Sequence, residues 1–172
     1  GVPGRIKGKA MNENERESYT ARILNVDLSN GEISSEELDE GTLRKYLGGC
    51  SLGAHILYRD VTEEIEHTDL RNPLMILTGI LGGTSMPGSG GITVSAKGAL
   101  TGGAASTQAQ GAFGAFLRLT GYIGIVIRGA CDQWSYLAID EDGNAEIRDG
   151  AHLVGKDTWE TVDALVDEFD IL

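Results

Sequence analysis

Residues 20–28 (TARILNVDL) alternate, with Leu24, Val26 and Leu28 on one face and Ile23, Asn25 and Asp27 on the other, the period of a half-buried strand. Ser29-Asn30-Gly31 then supplies a tight turn, so a return strand is expected over residues 32–36. Between 42 and 60, Leu43, Leu47, Leu52, Ile56 and Leu57 take helical spacing, interrupted by Gly48, Gly49 and Gly53. A glycine inside a helix costs about 1 kcal/mol relative to alanine, so the spacing predicts two short helices or one broken one. Residues 63–72 are polar and read as a connection, and after Pro73 the run 74–78 (LMILT) reads as a buried strand. Residues 92–97 (ITVSAK) and 124–128 (GIVIR) read as further strands and 111–120 (GAFGAFLRLT) as a short helix, separated by loops of Gly, Ser and Thr. Residues 135–140 and 145–148 are expected to pair through Glu141-Asp142-Gly143-Asn144, because Asp-Gly favours a hairpin turn. A final helix opens at Asp157-Thr158-Trp159-Glu160, a D-x-x-E form of the capping box. It carries Trp159, Val162, Leu165, Val166 and Phe169 on one face.

Strands outnumber helices and their order repeats no βαβ unit, which predicts an α+β fold with mainly antiparallel sheet. At 172 residues, 41% of them hydrophobic, the chain can bury one core, and a single domain is expected over 11–172. Residues 1–10 (GVPGRIKGKA) precede Met11, lack apolar periodicity and read as an expression scar.

Charge narrows the function. A formal net charge of -12 repels nucleic acid and anionic membrane surfaces alike, so the partner is expected to be a small molecule or a protein. No run of 18 apolar residues and no basic-then-apolar leader occurs, which indicates neither a membrane span nor export and leads to a cytoplasmic expectation. Cys50 and Cys131 form no CxxC pair and are expected to be reduced, packed thiols. His55, His67 and His152 lack metal-ligand spacing, so no metal site made of protein side chains is expected. The acidic residues Glu63, Glu64 and Glu66, and the pair Asp167 and Glu168, read as solvated faces. Ser85 and Ser89 sit in glycine turns without a G-x-S-x-G frame, and no catalytic residue is nominated.

The compositional break is sharper than any single motif. Between Gly79 and Gly129 the sequence holds 14 of its 25 glycines and no Asp or Glu, and its only ionised side chains are Lys97, Arg118 and Arg128. Such a band suits an anionic ligand, since glycines let backbone N–H groups approach phosphate oxygens. It suits equally a tightly packed interior of strands and loops. Neither GxGxxG nor GxxxxGK[ST] occurs, which argues against a dinucleotide fold or a P-loop.

The order of the segments carries more. ILNVDLSNGEI (23–33), YLGG (46–49) followed by LGAHILY (52–58), NPLMILTG (72–79), PGSGGITVSAKGALTGG (87–103), GAFGAFLRLTGYIGIVIRGA (111–130) and AEIRDGAHLVGKDTWET (145–161) resemble, collinearly, the N-terminal domain of the tungsten-containing aldehyde ferredoxin oxidoreductase family. The resemblance implies a two-sheet platform that carries a bis-pterin cofactor of tungsten, or occasionally molybdenum. It also implies that the catalytic side chains and the cysteines of a [4Fe-4S] cluster belong to later domains, with an aldehyde as substrate and ferredoxin as electron acceptor. Such a platform would be inactive alone, and with its apolar face uncovered it would self-associate as a homo-oligomer.

By the same resemblance Gly90, Gly91, Gln108, Ala109, Gln110 and Gly111 line the cofactor site, and Lys97 keeps a basic residue that the family has after this strand. The sequence departs from the family where Gly91 replaces an arginine of a GGRY-like turn and Gln108-Ala109-Gln110-Gly111 replaces Asn-Ser-Gly-Gly. It departs again where Gly48-Gly49-Cys50-Ser51 replaces Gly-Gly-Arg-Gly, and where Phe116 and Ile123 replace acidic residues. These departures leave open a second reading, a paralogue that keeps the fold as a binding or assembly module without the cofactor.

Overall fold

The computed structural model describes residues 21–170, so the expectations for residues 1–10 and Met11 fall outside the described residues. The expected first hairpin forms as β1 (Ala21–Asp27) and β2 (Glu32–Leu38), turning through Gly31 at φ +74°. Both faces of β1 are covered: Leu24 and Val26 are buried on one side, and Ile23 is fully buried on the other. The alternation seen in the sequence is therefore not a half-exposed strand.

Helix α1 (Glu40–Tyr46) and helix α2 (Gly49–Asp60) are the two pieces of the predicted broken helix. Leu47, Gly48 and Gly49 all take positive φ, which no continuous helix tolerates. Gly48 cannot carry a side chain, because a Cβ there would lie 2.4 Å from the Thr78 carbonyl oxygen. The same close approach joins Gly48 to Gly79 as an isolated bridge and fixes the start of α2 against the sheet.

Asp39 caps α1, accepting hydrogen bonds from Thr42 N at 2.9 Å and Thr42 Oγ1 at 2.6 Å. These bonds hold its carboxyl below the usual aspartate range. A carboxyl lowered in the folded state stabilises fully above its unfolded pKa and loses that contribution as pH falls through the folded value. The stability difference between the wild-type chain and Asp39→Ala is accordingly expected to be constant near neutrality and to shrink toward zero on acidification below about pH 4, measured by denaturant titration at a series of pH values.

Strands β3 (Leu74–Leu77), β4 (Ile92–Lys97), β5 (Ala104–Ala109) and β6 (Tyr122–Arg128) complete a six-stranded sheet of order β2-β1-β6-β3-β4-β5. Only the β1–β6 pair is parallel. Strand β5 occupies a segment expected to be loop, and helix α3 (Phe113–Leu119) begins two residues later than the sequence indicated. On one face α1 and α2 bury Leu43, Leu52 and Ile56 against Ile23, Met75, Leu77 and Val126. On the other face Leu117 of α3 and the second hairpin, β7 (Ser135–Ile139) with β8 (Ala145–Asp149), pack on Leu24, Val26 and Ile125. The Asp140 carboxylate closes that hairpin turn by accepting bonds from the Asp142 and Asn144 amides.

Helix α4 (Thr158–Phe169) carries the predicted capping box between Asp157 and Glu160. None of its residues is buried, and Trp159 is 79% exposed. Glu168 ties its last turn to the second hairpin by accepting from Tyr136 Oη at 2.6 Å and pairing with Arg148 and His152. Of the predicted apolar stripe, Trp159 and Val162 are exposed, Leu165 and Val166 are half-buried, and Phe169 lies against the Arg148 guanidinium.

Candidate functional site

The register of β4 and β5 sets Thr93 against Gln108 and Ile92 against Ala109. Continuing that ladder by one and two residues brings Gly91 and Gly90 opposite Gln110 and Gly111, so all six residues expected to line a site meet where β5 runs into α3. Two hydrogen bonds lock the corner: Gly114 N donates to Gly90 O at 3.0 Å, and Thr78 Oγ1 donates to Gly91 O at 3.3 Å. Thr78 and Gly114 are the site's supports that sequence reasoning missed. Thr78 lies within a strand-like run and Gly114 within a helix, and neither pattern reveals that they touch this corner.

The glycines here answer first to the fold. A Cβ on Gly90 would stand 1.9 Å from Gly111 O, and one on Gly114 would stand 2.5 Å from Gly91 O. Between the two readings of the glycine-rich band, close internal packing accounts for these positions. Gly111 differs: its φ is +155° and nothing lies within 4 Å of its Cβ direction, so it faces open space.

Gln110 turns its carboxamide over Gly91, whose Cβ position lies 3.0 Å from Oε1 and 3.3 Å from Nε2. Gln108 follows on the same face, beside the start of α2, where a Cβ on Gly49 would lie 3.3 Å from Thr93 Oγ1. The α2 N-cap is Gly48, which provides no side-chain cap, so the positive end of a 12-residue helix faces this corner. No carboxylate lies anywhere in the surrounding band. Of its cations, Arg128 pairs with Asp60 and Asn25 and Lys97 ends β4 at the strand's far end, whereas Arg118, one turn after Gly114 on α3, lies beside Gly82, which also approaches Thr78 Oγ1. The corner is thus polar, with Arg118 the ionised side chain of the band that lies closest to its Thr78 support. Cys50, expected to be packed, is exposed on the first turn of α2, while Cys131 is half-buried and directs its thiol at Leu28 O, 3.5 Å away. His55 stacks on Tyr46 at 4.1 Å and His152 pairs with Glu168, so both have structural partners.

The six-stranded mixed sheet is covered by α1 and α2 on one face and by α3 and the second hairpin on the other, with the glycine corner at its edge. The chain belongs to the aldehyde ferredoxin oxidoreductase family: the model of that family's N-terminal domain matches residues 23–171. It is 37% identical over 140 residues to the tungsten-containing aldehyde ferredoxin oxidoreductase of Pyrococcus furiosus, covering 81% of this chain and 23% of that protein. It is 35% identical over 154 residues to a second protein of the same organism, the WOR-like subunit of an aliphatic sulfonate oxidoreductase, covering 88% and 24%. Among solved structures, the active-site complex BamBC of benzoyl coenzyme A reductase with 1,5-dienoyl-CoA matches with a TM-score of 0.82 and 33% identity, covering 87% of this chain and 23% of the matched one. The chain spans about a quarter of the length of these relatives.

Proposed function

We propose that this chain is the cofactor platform of a tungsten- or molybdenum-pterin oxidoreductase that converts aldehydes to carboxylic acids and passes electrons to ferredoxin. The observation that carries the reading is the corner itself, where the six expected residues converge beside the start of α2 with donors and no carboxylate. These residues fit an anionic, ring-bearing group: the Gln108 and Gln110 carboxamides offer planar donor–acceptor pairs, and the open side of Gly111 leaves room for close approach. When bound, the metal-pterin group would supply the two-electron chemistry. The chain's own part is to seat it on Gln108, Gln110 and the Gly111 backbone and to keep carboxylates away from its negative charge. Gly90 and Gly91 shape the wall behind it, and Ala109 contributes backbone.

Relatives named for aldehydes, for aliphatic sulfonates and for benzoyl coenzyme A share this domain. That spread of names supports a platform common to several substrate classes, with substrate choice and the [4Fe-4S] cluster left to other domains. The test is elemental and fluorescence analysis after anaerobic production of the protein together with the rest of its gene. Tungsten or molybdenum at near-stoichiometric amounts with pterin is expected in the wild type, and a marked loss in Gln108→Ala/Gln110→Ala. A preparation free of both metals and of pterin would support the second reading, an assembly module, which the departures from the family pattern at Gly91, Gln108, Gln110 and Cys50 favour.

A further inference from the structure

Of the three cations in the acid-free band, Arg118 is the one built into the support of the glycine corner. It lies on α3 one turn after Gly114, whose amide holds Gly90 O. The residue is half-buried, and its Nε and Nη1 atoms are fully buried. The turn over residues 79–83 rests on its stem: a Cβ on Gly82 would stand 2.7 Å from Arg118 Cγ and 2.6 Å from Thr78 Oγ1, and one on Gly83 would stand 3.2 Å from Arg118 Cβ. The arginine stem and the Thr78 hydroxyl thus flank the same glycine, and that hydroxyl donates to Gly91 O in the wall of the corner. Taking a guanidinium out of water is costly, and an apolar side chain would fill the space beneath the turn without that cost. Filling space therefore does not account for the charge. No Asp or Glu occurs between Gly79 and Gly129, so the band itself adds no negative charge at the corner.

We propose that Arg118 supplies the positive potential of the glycine corner and selects the anionic part of the bound group, acting through space from behind Thr78 and the Gly90–Gly91 wall. It is a positioning residue, since it acts on the ligand through that wall and does not touch it. The inference rests on the platform reading and deepens it by placing the charge that recognises an anion inside the fold. A charge held behind backbone is screened by salt less than one on an exposed side chain. It also imposes no bidentate geometry on the anion, so it discriminates by charge and not by shape. The two tasks of the corner are then divided: the Gln108 and Gln110 carboxamides meet the ring, and Arg118 sets the preference for negative charge.

The test compares a charged probe with a neutral one, pyrophosphate and 6-hydroxymethylpterin, by titration calorimetry. The protein is produced together with the rest of its gene in a host that makes no pterin cofactor. Arg118→Gln is expected to weaken pyrophosphate binding about fivefold to tenfold, the effect of a unit charge about 10 Å from an anion at an effective dielectric constant of about 20 with partial salt screening. Arg118→Lys keeps the charge and should stay within about twofold of the wild type, and both variants should bind the neutral pterin as the wild type does. An arginine that only props up the 79–83 turn would act differently: its loss would shift Thr78 and weaken both probes together. A further check needs no neutral variant, because lysine titrates near pH 10.4 and arginine stays charged. Relative to the wild type, pyrophosphate binding by Arg118→Lys should fall as pH rises from about 9 to 11. The proposal is overturned by Arg118→Gln binding pyrophosphate as tightly as the wild type, by an equal loss on the neutral pterin, or by an Arg118→Lys to wild-type ratio that does not change with pH. Each of these leaves the platform function standing, whereas a wild type that binds neither probe sinks that reading and this inference with it.

Discussion

Gly90→Ala is expected to cost about 3 kcal/mol or more of unfolding free energy, enough to leave much of the population unfolded at moderate temperature. The added methyl would sit 1.9 Å from the Gly111 carbonyl oxygen and 3.2 Å from the Ala112 Cα. These are backbone atoms, which cannot rotate away as the end of a side chain could. Relief requires separating β4 from the start of α3, and that breaks the Gly114 N to Gly90 O bond as well. Gly31→Ala provides the contrast, because its φ is +74° with nothing within 4 Å of the Cβ position. Only the left-handed backbone is penalised there, at about 1–2 kcal/mol. Urea denaturation of both variants checks the pair; equal losses would mean that the corner relaxes around the added methyl and that the contact at Gly90 is not rigid, since Gly90 itself has no positive φ. The comparison also separates fold from function, since a Gly90 variant that binds no cofactor is uninformative unless its stability is known.

How much of this was legible beforehand depends on whether each segment buries a face. Strands β1, β3 and β6, the broken α1–α2 pair and the β7–β8 hairpin could be read because apolar period, turn chemistry and burial agree in them. Strand β5 could not, because Ala-Ala-Ser-Thr-Gln-Ala buries nothing on either side and so carries no alternation. It is held in the sheet by its ladder with β4, a constraint that belongs to the partner strand and leaves no mark on its own sequence. The candidate residues were recognisable as a group from collinear resemblance, and the ladder shows why residues nearly twenty apart in sequence meet. What could not be read was the cause of the glycine enrichment. At Gly48, Gly90 and Gly114 the excluded neighbour is protein backbone, and composition alone does not distinguish backbone from ligand as the close neighbour. The missing guanidinium at position 91 was visible as a substitution. That the Gln110 carboxamide fills the adjacent space is a three-dimensional fact, arising because two departures from the family pattern lie across one rung of the ladder.

Leu52→Ala is expected to lower stability by about 2–5 kcal/mol. Leu52 has no exposed surface and joins the cluster that clamps α2 to Met75, Leu77 and Ile123. The cavity left by its removal cannot collapse easily, because α2 is pinned at its start by Gly49 N donating to Thr78 O at 3.1 Å and at its end by Arg59 with Glu36. Gly53, next in the helix, already sits so close to Ser95 that a Cβ would lie 2.8 Å from its hydroxyl, so the helix cannot sink further toward β4. A shift in denaturation midpoint with an unchanged m-value would be the signature of lost packing without loss of compactness. The site should feel the same change: if α2 loosens, its N-terminal end moves relative to Thr93 and Gln108, and cofactor retention should fall even where the variant remains folded. A fully stable Leu52→Ala would show instead that the sheet holds α2 through its two ends, and that the cluster beneath it contributes little to positioning the corner.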